Sequence, residues 1–178
     1  MRYSLRPHPA CAPAPIAAVE AELARRGGHL HLAFRVSGAS ALKTPPTTAP
    51  ARRDGLWRTT CFEAFIRPEA GAAYYEFNFA PSGDWAAYRF DGCRRGMADA
   101  DVSAPRIDWR IDGRLGLLTV RLDLEALSPS PSARLGLSAV LESMAGEKSF
   151  WALAHPADKP DFHRADGFIA RLPFESGA

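Results

Sequence analysis

From His29 to Val36 apolar and polar positions alternate without a break. Leu30, Leu32, Phe34 and Val36 share one face, and His29, His31, Ala33 and Arg35 share the other. Period two is the mark of a half-buried strand. Upstream, Val19, Ala21 and Leu23 alternate with Glu20, Glu22 and Ala24, and Gly27-Gly28 separates the two runs. The pair therefore reads as a hairpin. The Ala, Glu, Leu and Arg content of 16–26 makes a helix the competing reading. In "LWRTTCFEAFIRP", Phe62, Ala64 and Ile66 lie on one face and Cys61 and Phe65 on the other. A strand apolar on both faces is central rather than an edge, and Pro68 ends it. "YYEFNFAPSGDWAAYRF" reads as two strands around the turn Pro81-Ser82-Gly83-Asp84. Ile107, Trp109 and Ile111 alternate with charges up to Asp112-Gly113, a strong hairpin signal, and Leu115 to Leu122 returns. "DLEALSP" is at most one helical turn. "ARLGLSAVLES", "KSFWALAHP" and "DGFIARLPF" supply the remaining strands.

Nine or ten short strands with regular turn signals and no long helix predict an all-β fold, an antiparallel β-sandwich. The stretches 1–15 and 39–55 read as loops, the second because Pro45, Pro46, Pro50 and Gly55 interrupt it. With no internal repeat or linker, residues 1–178 are expected to form one domain.

Composition changes this picture little. Hydrophobic content is 47%, charged content 24% and net charge +2, as in an ordinary globular protein. The basic residues are scattered, so nucleic acid is not the expected partner, and no stretch approaches the ~20 apolar residues of a membrane span, so a membrane is not expected either. The pairs Arg25-Arg26, Arg52-Arg53 and Arg94-Arg95 lie near turn signals and read as solvated loop arginines. "MRYSLRPHPACAPAP" has no apolar h-region, and the expected compartment is the cytoplasm. Cys11, Cys61 and Cys93 have neither disulfide-framework nor zinc-like spacing, and Cys61 reads as a small core residue.

The chemistry-bearing positions gather in three places. Glu63 sits inside a strand that is otherwise apolar on both faces. An unpaired carboxylate there is costly, so it needs an Arg, His, Trp or Tyr partner, as a structural residue or as a ligand-facing group. Glu76 and Asn78 share a face, opposite Tyr75, Phe77 and Phe79. If the aromatic set is core, Glu76 and Asn78 face water or a cleft; if the sheet curves around a pocket, either set lines it. Trp85 and Tyr88 follow on the next strand and are not expected both to be bare. Near the C-terminus, Trp151, His155, Asp161 and His163 fall close together around Pro156 and Pro160. The prolines force the chain out of the sheet as a stiff loop, and such loops carry binding groups. One pocket is therefore expected, with this segment as a wall beside Glu63 or the Trp85 hairpin. The spacing of His155, Asp161 and His163 fits no common zinc pattern, and no phosphate loop or nucleophile elbow is present.

Three stretches, "GLWRTTCFEAFI", "YYEFNFAPSGDWAAYRFDGCRRGM" and "FWALAHPADKPDFHRADGF", resemble the DOMON-like superfamily, in the branch related to family-9 carbohydrate-binding modules. The resemblance spans roughly residues 16 to 173. It implies an immunoglobulin-like or jelly-roll-like β-sandwich of nine to eleven strands, with a cleft at one sheet that holds a sugar or haem. Aromatic rings clamp the ligand in the sugar binders, and the matching region offers Trp57, Trp85 and Trp151. Haem-binding members use axial Met, His or Lys; Met97, Met144, His155 and His163 are available, and none falls in a matching ligand motif. The sugar-binding modules are usually secreted parts of larger hydrolases, whereas this sequence shows no signal segment. Fold alone does not choose the ligand. Three functions stand: a small-ligand binder for a sugar or aromatic glycoside without a cofactor, a haem protein, and an enzyme using Glu63, Asp161, His155 or His163 as acid and base.

Overall fold

The structure, a computed structural model, describes residues 1–11, 15–47, 49–127, 133–156 and 158–173. It is almost entirely antiparallel β, and the strands curl into a sandwich. In chain order the strands are β1 (Arg2–Pro7), β2 (Ala18–Arg26), β3 (His29–Ser37), β4 (Cys61–Arg67), β5 (Tyr74–Phe79), β6 (Trp85–Phe90), β7 (Ala98–Asp99), β8 (Arg106–Asp112), β9 (Leu115–Asp123), β10 (Arg134–Glu142), β11 (Lys148–Ala152) and β12 (Ala170–Arg171). The continuous order is β7-β6-β5-β4-β10-β11-β1-β2-β3-β9-β8, with β12 on β10.

The first strand makes one path of two layers. Its residues Arg2 to Leu5 pair with β2, and Arg6 and Pro7 pair with β11. β1 thus leaves one layer and enters the other, as strands at the corners of sandwiches do. This strand lies inside the stretch expected to be loop, whose residues 12–14 fall outside the described residues. Its pattern is weak because only Leu5 is deeply buried; position at the corner, not amphipathicity, makes it a strand. β7, also unanticipated, is only two residues long. The remaining strands match the expected ones. The tail of the last, Phe174, lies outside the described residues, as do Ser128 and Pro129 after the short helical turn Glu125–Leu127.

The run 18–37 is a hairpin and not a helix. Arg26 pairs with His29 across Gly27 and Gly28, whose φ values are 54° and 74°. Two consecutive left-handed residues are what a two-residue hairpin turn needs, and glycine adopts them at no steric cost.

The core lies between the layers. β2, β3 and β9 contribute Val19, Ala21, Leu23, Leu30, Leu32, Phe34, Val36, Leu118, Val120 and Leu122. Against them pack Phe62, Ala64, Ile66, Phe77, Phe79, Leu135, Leu137, Ala139 and Leu141 of β4, β5 and β10. β4 is central, between β5 and β10. Its other face does not meet water, because a second apolar cluster of Phe65, Tyr74, Ala86, Tyr88, Phe90 and Phe168 covers part of it. Close approach requires glycine at Gly136 of β10: a Cβ there would lie 2.5 Å from the Phe168 ring. Phe168 in turn anchors the C-terminal segment on the outside of this sheet. What that segment and its neighbours leave uncovered is a cleft.

Candidate functional site

Strand parity decides what the cleft contains. On β5 the odd positions Tyr75, Phe77 and Phe79 face the core, so Tyr74, Glu76 and Asn78 face outward. On β4 Glu63 shares the outward face with Cys61 and Phe65, and on β6 Tyr88 shares it with Ala86 and Phe90. The outward face of this sheet, the loop 39–58 and the C-terminal segment enclose a cavity of about 370 Å³. Its floor is Glu63 and Glu76. Its walls include Trp57, Tyr88, Phe90, Phe150, Phe162 and His163, with Arg94 and Met97 toward the rim.

Each wall has a local cause. The loop 39–55 runs along β6, where Arg52 forms a bridge with Trp85. Arg52 donates to the Ala100 carbonyl at 3.0 Å and to that of Ala87, and its guanidinium sits 5.4 Å from the centre of the Trp85 ring. It is therefore a tether of this loop and not a solvated arginine. The tethered loop brings Asp54 to the Tyr88 hydroxyl, which donates to Asp54 Oδ1 at 2.6 Å. The short turn Leu56–Arg58 follows and sets Trp57, 38% exposed, edge-on to Tyr88 with ring centroids 6.2 Å apart.

The C-terminal segment is held by His163. The Tyr74 hydroxyl is hydrogen-bonded to His163 Nδ1 at 2.7 Å and accepts the Arg94 backbone N–H at 3.2 Å. The imidazole meets Phe65, Tyr74 and Phe90 edge-on. Burial and the nearby Arg94 charge push the imidazole pKa down to about 4, against the opposing pull of Asp161. His163 is therefore neutral near pH 7; the tautomer that gives the Tyr74 hydroxyl proton an acceptor at Nδ1 puts the imidazole proton on Nε2. That nitrogen lies 3.7 Å from Glu76 Oε2, too far for a hydrogen bond, so it remains an open donor beside the cavity. Asp161 accepts the His163 backbone N–H at 3.1 Å and the Arg94 guanidinium at 2.8 Å. Burial raises the Asp161 carboxyl, but these two donors outweigh it and leave it below the usual range. Arg94, the one non-glycine residue with positive φ (53°) among the described residues, is thus a built part of the rim and not a free loop arginine.

The floor is a buried pair of acids. Glu63 is 3% and Glu76 5% exposed. The partner of Glu63 is Ser138, directly opposite on β10, whose hydroxyl donates to Oε2 at 2.9 Å. The expected Arg, His, Trp or Tyr partner is replaced by this hydroxyl, because the cross-strand neighbour is nearer than any loop. Asn78 Nδ2 donates to Glu76 Oε1 at 2.8 Å, and the Cys61 thiol donates to Asn78 Oδ1 at 3.4 Å. Burial, then the charge of Glu76, pushes Glu63 up to about 8; burial raises Glu76 as well. Like charges in a dehydrated site disfavour double ionisation, so the pair retains a proton at neutral pH.

A consequence for stability has a definite sign. Glu63 is raised when folded, so the native state binds the extra proton and stability falls as pH climbs from the unfolded pKa, near 4.5, to about 8. His163 is depressed, so its contribution is lost as pH drops from about 6.5 to about 4. The two oppose each other below about 6.5, and above it the carboxylates act alone. The melting temperature is expected to fall between about pH 6.5 and about pH 8, and Glu63→Gln should flatten that fall. An unchanged slope in the variant would show that Glu63 is not the group retaining the proton.

Of the residues singled out from sequence, Trp57, Glu63, Glu76, Tyr88 and His163 line one cavity, with Asn78 beneath it and Asp161 bound to its rim. Trp85 and Trp151 pack instead into the core between the layers, 7% and 5% exposed, and Tyr75 packs against that core. Their parity is the reason: Phe150, not Trp151, faces the cleft, and Trp85 points away from Tyr88. His155 donates to the Arg6 carbonyl at 2.8 Å and sits edge-on to His8, apart from the cavity lining. Tyr74, Phe90, Arg94, Phe150 and Phe162 were not singled out. Phe90 and Phe150 were reachable by counting in twos from Tyr88 and from the strand 148–152. Arg94 had only its flanking glycines as a signal.

No family model and no curated protein matches the sequence. Solved structures do match in shape. A Bacteroides uniformis protein put forward as carbohydrate-binding superposes with a TM-score of 0.72 at 16% identity, over 98% of this chain and 86% of that one. A family-9 carbohydrate-binding module from Caldicellulosiruptor kristjanssonii, solved with cellotriose, gives 0.63 at 9% identity over 100% and 84%. A family-9 module from the same organism, solved with glucose, gives 0.57 at 7% identity over 80% and 69%. The fold is therefore that of the family-9 module sandwiches.

Proposed function

We propose that this chain is a carbohydrate-binding protein of the DOMON-like type, allied to family-9 modules, and that the cleft over Glu63 and Glu76 is its sugar site. One observation carries the reading: a half-exposed indole, Trp57, lines the same cavity as two buried carboxyl groups, each with acceptor capacity left open. A sugar ring has an apolar C–H face for such an indole and hydroxyl donors for such acceptors. The His163 Nε2–H and Arg94 add donors at the wall and rim. The likeness to sugar-bound family-9 modules supports the same assignment. The cavity fits haem poorly. Of the four candidate axial ligands only Met97 and His163 line it, and its floor would set two carboxylates against an apolar macrocycle.

The test is a titration of intrinsic fluorescence with glucose, cellobiose, cellotriose and aryl glycosides. Trp57 is the exposed indole at the cleft, so saturable quenching or a blue shift is expected, and Trp57→Ala should lose most of it. A flat response across the panel would remove the sugar reading. The retained proton on the Glu63–Glu76 pair supports a second reading, acid–base cleavage of a bound glycoside. Release of phenol from an aryl glycoside, abolished in Glu63→Gln, would establish it; its absence would leave binding alone.

A further inference from the structure

The charges around the cavity do not balance. Glu63 and Glu76 are each more than nine-tenths buried, and each accepts a hydrogen bond from a neutral donor, Ser138 for one and Asn78 for the other. Among the described residues no lysine or arginine pairs with either carboxylate. A carboxylate offers about four acceptor sites, so acceptor capacity is left open beside the cavity. The other groups packed around the pair do not supply the missing positive charge. Cys61 is a buried thiol that burial keeps protonated. Tyr74 and Tyr88 are hydroxyls, and Asp54 and Asp161 are acidic. His163 is neutral. Arg94 is the one cation among the lining residues; its charge reaches both carboxylates and pulls their pKa values down, less than burial raises them, and it is already paired to Asp161 on a side chain 58% exposed at the rim.

From this imbalance we infer that the cleft prefers ligands bearing a protonated amino group, an amino sugar over the corresponding neutral sugar, with the ammonium seated on Glu63 and Glu76. The identity of the ligand body rests on the carbohydrate reading above; the cation seat does not. An ammonium group brings three donors and a full charge, and a charge-assisted hydrogen bond is about twice as strong as a neutral one. Five aromatic side chains, Trp57, Tyr88, Phe90, Phe150 and Phe162, line the same cavity, and a ring face within about 6 Å of a cation attracts it. An incoming ammonium also displaces the proton that the pair retains near pH 7. Binding is then coupled to proton release into solvent.

The experiment is calorimetric titration near pH 7 at low salt with glucosamine, glucose, N-acetylglucosamine and benzylammonium, each in two buffers of different ionisation enthalpy. Glucosamine is expected to bind at least ~10-fold more tightly than glucose or N-acetylglucosamine, with proton release seen for glucosamine and not for glucose. Glu63→Gln and Glu76→Gln, close in shape and checked by thermal melts, should each abolish the proton release, and the double variant should bring the glucosamine-to-glucose ratio to about one; if only one single variant folds, its loss of proton release decides. Glucose binding as tightly as glucosamine would overturn the cation seat and leave the sugar reading intact. A preference for glucosamine that survives in the double variant, or proton release that survives in a single one, would overturn the assignment to these carboxylates. Benzylammonium bound in a carboxylate-dependent way with no sugar bound would support the seat and overturn the sugar body. No binding by any of the four would overturn both.

Discussion

Trp57→Ala is expected to weaken sugar binding by about 1–3 kcal/mol, roughly 5- to 150-fold, while leaving the melting temperature within experimental error. The indole is 38% exposed and projects from a three-residue turn. Its intramolecular ring contact is the edge-on approach to Tyr88, so its removal opens no core cavity. Its face is instead available to a ligand over the carboxylate floor. The backbone of this turn is set by Gly55 and by the tether of Arg52, which the substitution leaves untouched. Titration and thermal melt on the same sample separate the two effects. Unchanged affinity would place the sugar outside this cleft, and a large fall in melting temperature would make Trp57 a structural residue.

Phe62→Ala should do the reverse. Phe62 is fully buried on β4, and its ring bridges the layers, 5.1 Å from Phe34 of β3 and 5.8 Å from Trp109 of β8 between centroids. Truncation removes the burial of an aromatic ring and leaves a cavity that closely packed strands cannot close. The expected loss is about 3–5 kcal/mol. In a protein of this size that corresponds to a fall of roughly 6–20 °C in melting temperature. Below the transition the sugar affinity should stay within about two-fold, because Phe62 faces away from Glu63. Denaturant unfolding followed by circular dichroism measures the first, and titration of the folded variant measures the second. A loss under about 1 kcal/mol would mean that the two layers are less tightly joined at this point than the ring contacts indicate.

Much of the scaffold is legible along the chain because burial in a sheet is periodic. Alternation from Leu30 to Val36 and from Ile107 to Ile111, the Gly27-Gly28 turn, and the doubly apolar run 61–66 each report a local fact, namely which side of a strand meets water. These facts suffice for antiparallel strands, for the hairpins and for the central place of β4. They also place Glu63 in an environment that demands explanation, and they put Glu76 and Asn78 opposite the aromatic core face. β1 escapes the same logic, because a strand that changes layers at a corner buries only Leu5 and carries no period to read.

Only the tertiary structure decided which aromatics are available to a ligand. Trp85, Trp151 and Tyr75 look like binding rings in a list of residue types, yet one residue of strand parity turns them into the core, where their faces are already covered. Phe90 and Phe150 take their place. Tertiary structure also chose Ser138 as the partner of Glu63, since pairing between strands 75 residues apart in sequence is set by the register of β4 on β10. It brought His163 to Tyr74 and Arg94 to Asp161 across similarly long separations in sequence, and so closed the cleft. Period and propensity are local properties of a chain. A site is a convergence of distant segments, and the free energy that holds it comes from packing that no single stretch of sequence contains.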